Sequence, residues 1–225
     1  MRTTNRQAGF TLVEIAIVLV IIGLLLGGIL KGQEMITQAR IKNQINDFNG
    51  VTAAHFSYVD RYRSVPGDDL GAMARWGGVG GQIPLLVAGV ADGNGQIDLP
   101  AGTAYNSPTA TDETRMFWWH LRIAGFIPGP TAAPAQGTQN PTNAFGGIVG
   151  AQSGAGAATL GLSGLIVCSN NVPDKVAIAV DTQMDDQSSL TGSIRALPNT
   201  AAVAALAGAQ YAETGSNIYL MCKGV

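Results

Sequence analysis

The sequence predicts an α+β protein. One long N-terminal α-helix, transmembrane and then amphipathic, packs on a small antiparallel-sheet head with long loops. Three observations predict this. An almost unbroken apolar run extends to Leu30, close to the roughly 20 residues a helix needs to cross a bilayer. Beyond it, Ile41, Ile45, Phe48, Thr52, His55, Val59 and Tyr62 recur in steps of four and three, which is helical spacing. In the last third, Leu165-Ile166-Val167, Val176–Val180 and Ile218–Met221 are short apolar runs of strand type.

Residues 1–9 form a short polar leader in which Arg2 and Arg6 are the only charges. By the positive-inside rule these arginines hold the leader on the cytoplasmic side. No small-x-small cleavage pattern follows the run at Leu30-Lys31-Gly32-Gln33, so the run is expected to stay attached. The stem helix is expected over 10–63, with 10–30 in the membrane. At about 1.5 Å per residue it is on the order of 80 Å long, far more than a bilayer requires. Its weak points are Gly23, Gly27, Gly28, Gly32 and Gly50, because glycine costs about 1 kcal/mol against alanine in a helix.

Pro66-Gly67 ends the helical pattern, and residues 64–225 form the head. A short helix capped by a carboxylate is expected over Asp68–Trp76, before the glycine-rich Gly77–Gly81. Asp112–Ala124 reads as a second helix, with Asp112 as cap, Phe117, Leu121 and Ala124 on one face, and Gly125 as its stop. Residues 128–164 read as long loops. Residues 201–209 are alanine-rich and read as either helix or loop.

The chain has 225 residues and a net charge of −2, so nothing points to a nucleic-acid partner. Charged residues make up 12 %, about half the usual share, which suits an exported or filament-packed surface. Cys168 and Cys222 lie more than fifty residues apart. In an exported head they are expected to form a disulfide, the alternative being two buried thiols.

Asp92-Gly93-Asn94-Gly95-Gln96-Ile97-Asp98 has the middle of a calcium loop. Asp92, Asn94 and Asp98 offer side-chain oxygens, Gln96 its carbonyl, and glycine the sharp turn. The loop lacks the terminal bidentate carboxylate, and Asp112 or Glu113 is the nearest supply. The competing reading is a metal-free Asn-Gly turn. Asp185-Asp186 is a second, weaker candidate. The Phe117-Trp118-Trp119-His120 cluster and His55 read as packing residues. Gly-x-Ser-x-Gly, Walker, His-x-x-x-His and Cys-x-x-Cys patterns are absent, so no enzyme is expected.

One acid, Glu14, sits inside the apolar run. A carboxylate in a bilayer costs about 2.5–3.5 kcal/mol on insertion scales and marks a functional position by default. Together, Gly9-Phe10-Thr11-Leu12-Val13-Glu14, the basic leader and the apolar helix resemble the class III signal of type IV pilins and type II secretion pseudopilins. The resemblance covers roughly residues 5–35. It implies cleavage between Gly9 and Phe10 by a prepilin peptidase and N-methylation of Phe10. It also implies storage in the inner membrane, delivery by an assembly platform to an extracellular or periplasmic filament, and a contact of Glu14 with a neighbouring subunit's Phe10 amine. The partners implied are copies of the chain and related pilins. Pseudopilin heads often hold calcium, which bears on Asp92–Asp98. Many type IV pilins carry proline where this stem has Lys31. The leading expectation is a structural filament subunit. The alternatives are a minor pilin or adhesin-type subunit at a filament tip, and an anchored domain that never polymerises.

Overall fold

The computed structural model describes residues 11–76, 92–98, 105–110, 112–131, 137–153, 160–198 and 210–225. The leader, Gly9 and Phe10, the glycine-rich loop at 77–81 and the alanine-rich 201–209 lie outside them. Helix α1 spans Leu12–Tyr62, 51 residues without a break, and passes through Gly23, Gly27, Gly28 and Lys31 unchanged. Arg63, in the left-handed region with φ of 54°, ends it and donates its N–H to the Val59 carbonyl at 2.8 Å.

By contacts the chain divides into two units, Met1–Ala39 and Arg40–Val225. In the first, the apolar side chains from Leu12 to Leu30 are exposed. In the second, the end of α1 joins the globular body through Ile41, Gln44, Phe48, Val51, Ala54, His55 and Tyr58, all buried. The packing boundary thus falls at Arg40, ahead of the helix end, because the amphipathic stripe starts there.

Among the described residues the sheet has four antiparallel strands: β1 (Val149–Ser153), β2 (Leu165–Pro173), β3 (Ile194–Pro198) and β4 (Ile218–Gly224), in the order β1-β2-β4-β3. Alternation along the strands gives it two faces. Val149, Ala151, Val167, Ile194, Ala196, Tyr219 and Met221 pack with Phe48, Val51 and Tyr58 of α1 in the main core. Ile166, Cys168, Leu197, Leu220 and Cys222 gather in a smaller core with Tyr105, Leu160 and Leu162. Cys168 and Cys222 face each other across β2 and β4 and form a disulfide.

Before the sheet, the described residues include helices α2 (Ala72–Trp76) and α3 (Glu113–Ile123). Helix α2 is shorter than the sequence suggests, because Asp68 and Asp69 belong to the turn before it. Asp69 closes that turn as an Asx turn, accepting the Gly71 N–H at 2.9 Å. Helix α3 ends in a Schellman motif. Phe126 and Gly125 donate their N–H groups to the Leu121 and Arg122 carbonyls, with Gly125 at φ of 80°. Asp112 occupies its N-cap position without a side-chain cap bond and instead accepts from the Ser107 hydroxyl.

Residues 176–180, expected as a strand, belong to helix α4 (Asp174–Met184). A short apolar run does not separate helix from strand. Pro173-Asp174 supplies the start, and Val176, Ala177 and Val180 turn one buried face inward. Strand β1 lies inside the stretch read as loops. Its Gly150 is required there, since a Cβ would come within 2.2 Å of the Tyr105 carbonyl oxygen.

Candidate functional site

Two places carry chemistry. The first is the start of α1. Thr11 precedes the helix, and its hydroxyl accepts the Glu14 N–H at 3.2 Å. The Glu14 carboxylate reaches back, and Oε2 accepts both the Thr11 N–H at 2.8 Å and the Thr11 hydroxyl at 2.7 Å. This reciprocal pair is a capping box. It satisfies helix-end donors that a lipid environment leaves without water. Among the described residues Oε1 of Glu14 has no partner, and the side chain is exposed. Glu14 therefore has a local role, helix capping, that its reading as an isolated acid missed; the Thr-x-x-Glu spacing was the available signal.

The helix that follows is long and apolar enough to cross a membrane by length and composition. The Cβ positions of Gly23, Gly27 and Gly28 face open space within 4 Å. Lys31 pairs with Glu34 at 2.7 Å, both exposed.

The second place is the junction after α1, where three consecutive residues reach three different elements. The Gly67 N–H donates to Nδ1 of His120 on α3 at 2.9 Å. Asp68 gathers the Asn-Gly loop: Oδ1 accepts the N–H groups of Asp92 at 3.1 Å and Gly93 at 2.6 Å, and Oδ2 accepts that of Gly95 at 2.7 Å. Asp69 accepts the Tyr58 hydroxyl at 2.6 Å and pairs with Arg75. His120 is fully buried, and its ring stacks on Tyr58, with centroids 6.1 Å apart. Burial pushes its pKa down to about 4, so it is neutral. His55 is buried on α1, and its ring stacks on Phe117. Both histidines are packing residues.

Within the loop, Asp92 Oδ1 accepts the Asn94 N–H at 3.0 Å and Asn94 Oδ1 accepts the Gln96 N–H at 2.7 Å. Asn94 also donates its amide N–H to Asp98 Oδ2 at 2.8 Å. Asp92, Asn94 and Gln96 are exposed, and Asp98 is half-buried. Of these four, only Asp92 joins a carboxylate cluster, made of Asp68, Asp92 and Glu113, whose ligand oxygens lie within 4.8 Å of one another. Glu113 is 1 % exposed. Its Oε2 accepts the Asp98 N–H, and its Oε1 has no partner. Burial, helped by the negative field of Asp68, Asp98 and Asp92, pushes its pKa up to about 8. The all-oxygen donor set suits a hard cation. Asp68 escaped the sequence reading because it lies 24–27 positions before the N–H groups it binds. Asp181, Asp185 and Asp186 form a second cluster.

Residues 4–30 match the family model described as the prokaryotic N-terminal methylation motif, the class III prepilin signal of type IV pilins and pseudopilins. The motif supports a pilin-like or pseudopilin subunit and fits a precursor anchored in the inner membrane. No curated protein and no solved structure matches the chain.

Proposed function

We propose that the chain is a structural subunit of a type IV pilus-like or type II secretion pseudopilus filament. The observation that carries this reading is the methylation motif over residues 4–30, continuous with an exposed apolar helix that contains one acid, Glu14. A prepilin peptidase removes residues 1–9 by cutting between Gly9 and Phe10, and the new Phe10 amine is methylated. The apolar helix holds the subunit in the inner membrane until assembly. In the filament, outside the membrane, the helices bury one another's apolar faces, which would otherwise meet water at a cost of about 25 cal/mol for each Å².

Glu14 sets the register in this scheme. A carboxylate on an apolar helix needs a cationic or hydrogen-bonding partner once buried. The Thr11 box uses Oε2, and Oε1 meets the Phe10 amine of the neighbouring copy. Mass spectrometry of the N-terminal peptide tests the processing step. The reading expects a chain that begins at a methylated Phe10. A membrane-extracted chain that keeps residues 1–9, or is cut elsewhere, contradicts it.

A further inference from the structure

The part of α1 that packs on the head has an outer face without charge. From Asn43 to Ser57, about four turns, its exposed positions hold only Asn, Gly, Ala, Phe and Ser. Phe56 is 56 % exposed there, and a Cβ on Gly50 would meet nothing within 4 Å. A charge-free strip with an exposed aromatic has the composition of an interface core rather than of open surface.

The two flanks of this strip carry opposite charges. On one flank Asp47 is half-buried, and burial pushes its pKa up. On the other, Lys223 of β4 is also half-buried. It reaches Asn49 and Thr52 of α1 only at 3.5 and 3.4 Å, and burial pushes its pKa down. None of the ion pairs among the described residues involves either group. At about 100° per residue, Asn49 and Thr52 lie about 140–160° around the helix from Asp47, so the strip separates the two charges. A partly buried charge without a counter-charge is costly, and here one of each sign goes unpaired in the same chain.

The Asp47 flank also offers a seat for a cation. Beside it opens a cleft of about 220 Å³ lined by Gly50, Val51, Ile127, Pro128 and Pro141. These walls suit the methylenes of a lysine, with the Asp47 carboxylate for its ammonium.

We propose that this strip is a contact between copies of the chain, in which Asp47 of one copy pairs with Lys223 of the next. The proposal rests on the filament reading and gives it a contact in the head. Stems drawn from one membrane run in the same direction, so the Asp47 flank of one copy meets the Lys223 flank of its neighbour. The neighbour's own Asp47 is left on its far side to receive a further copy, and a head-to-tail contact of this kind can repeat along a filament.

The test treats sheared wild-type filaments with a carbodiimide, which joins a carboxylate to an amine in contact with it, and reads the linked peptides by mass spectrometry. The proposal expects dimers and higher multimers on denaturing gels, carrying an Asp47–Lys223 link. Asp47→Lys and Lys223→Asp each set like charges against one another and should lower filament yield about tenfold or more, while the chain with both changes should recover to within about threefold of wild type. Melting temperatures of the full-length variants in detergent show whether each one folds, and the wild-type link decides the matter where a reversal does not. Wild-type filaments without that link, folded single reversals that assemble at wild-type yield, or a folded double variant no better than the singles overturn the contact and leave the filament reading standing. Absence of filaments from the wild-type chain overturns that reading, and the contact with it.

Discussion

The backbone N–H of Gly67 donates to Nδ1 of His120 at 2.9 Å, joining the turn after the long helix to the last turn of α3. The bond fixes the imidazole as an acceptor at Nδ1, so a proton added there would face the Gly67 N–H. With burial, this makes His120 a group that folding keeps neutral.

Stability should therefore depend on pH through His120. Its pKa falls from 6.5 to about 4 on folding, so between those values the unfolded chain binds the extra proton. The contribution is complete above pH 6.5, declines as pH falls, and levels off below about pH 4, with a total on the order of 3 kcal/mol. Glu113, whose pKa is raised to about 8, acts with the opposite sign: its contribution is lost as pH rises from its unfolded value toward 8. The measurement is thus the difference between wild-type and His120→Gln urea denaturation profiles from pH 4 to 7. Wild type should lose more stability than the variant as pH falls.

Gly67→Ala should destabilise by about 2 kcal/mol or more. Gly67 has φ of 100°, and a Cβ there would stand 2.7 Å from the Glu113 carbonyl oxygen. Chemical denaturation measures the loss. Gly95→Ala is the useful comparison, since Gly95 also has positive φ but no atom within 4 Å of its Cβ; it should cost less.

Tyr58→Phe keeps the ring packed against His120, Tyr62 and Phe126 and removes only the donor to Asp69. Asp69 is 1 % exposed and retains Arg75 and the Gly71 N–H. The expected cost is about 1–2 kcal/mol, read by denaturation midpoint.

The disulfide closes a sequence separation of 54 residues, worth about 4 kcal/mol in the chain-entropy model. Replacing Cys168 and Cys222 together by alanine should lower stability by about 2–5 kcal/mol. A loss well under 1 kcal/mol would mean that the smaller core holds β2 to β4 unaided.

Much of this was legible in the sequence. The four-and-three spacing, ended by Pro66-Gly67, gave the C-terminal end of α1 to within a residue, and Gly125 marked the end of α3. Val176–Val180 was read as a strand because five apolar residues fit either geometry, and only burial of Val176, Ala177 and Val180 on one face decides it. Strand β1 is hard to see because glycine sits in its middle, where the approach of the Tyr105 carbonyl leaves no room for a Cβ. In the head site, the Asn-Gly loop was read from its local turn chemistry. Asp68 was not, since its role depends on the chain folding back across two dozen residues. At the N-terminus, the Thr11–Glu14 box is local, and its Thr-x-x-Glu spacing is legible in the sequence.

Glu14→Gln tests the central claim most directly. Glutamine at this position keeps a capping box with Thr11 but removes the charge that would meet a neighbouring amine. The account predicts that the variant is made, inserted in the membrane and cut before Phe10, while the yield of sheared filaments, by electron microscopy and protein mass, falls to a small fraction of wild type. Filaments at wild-type yield would contradict it.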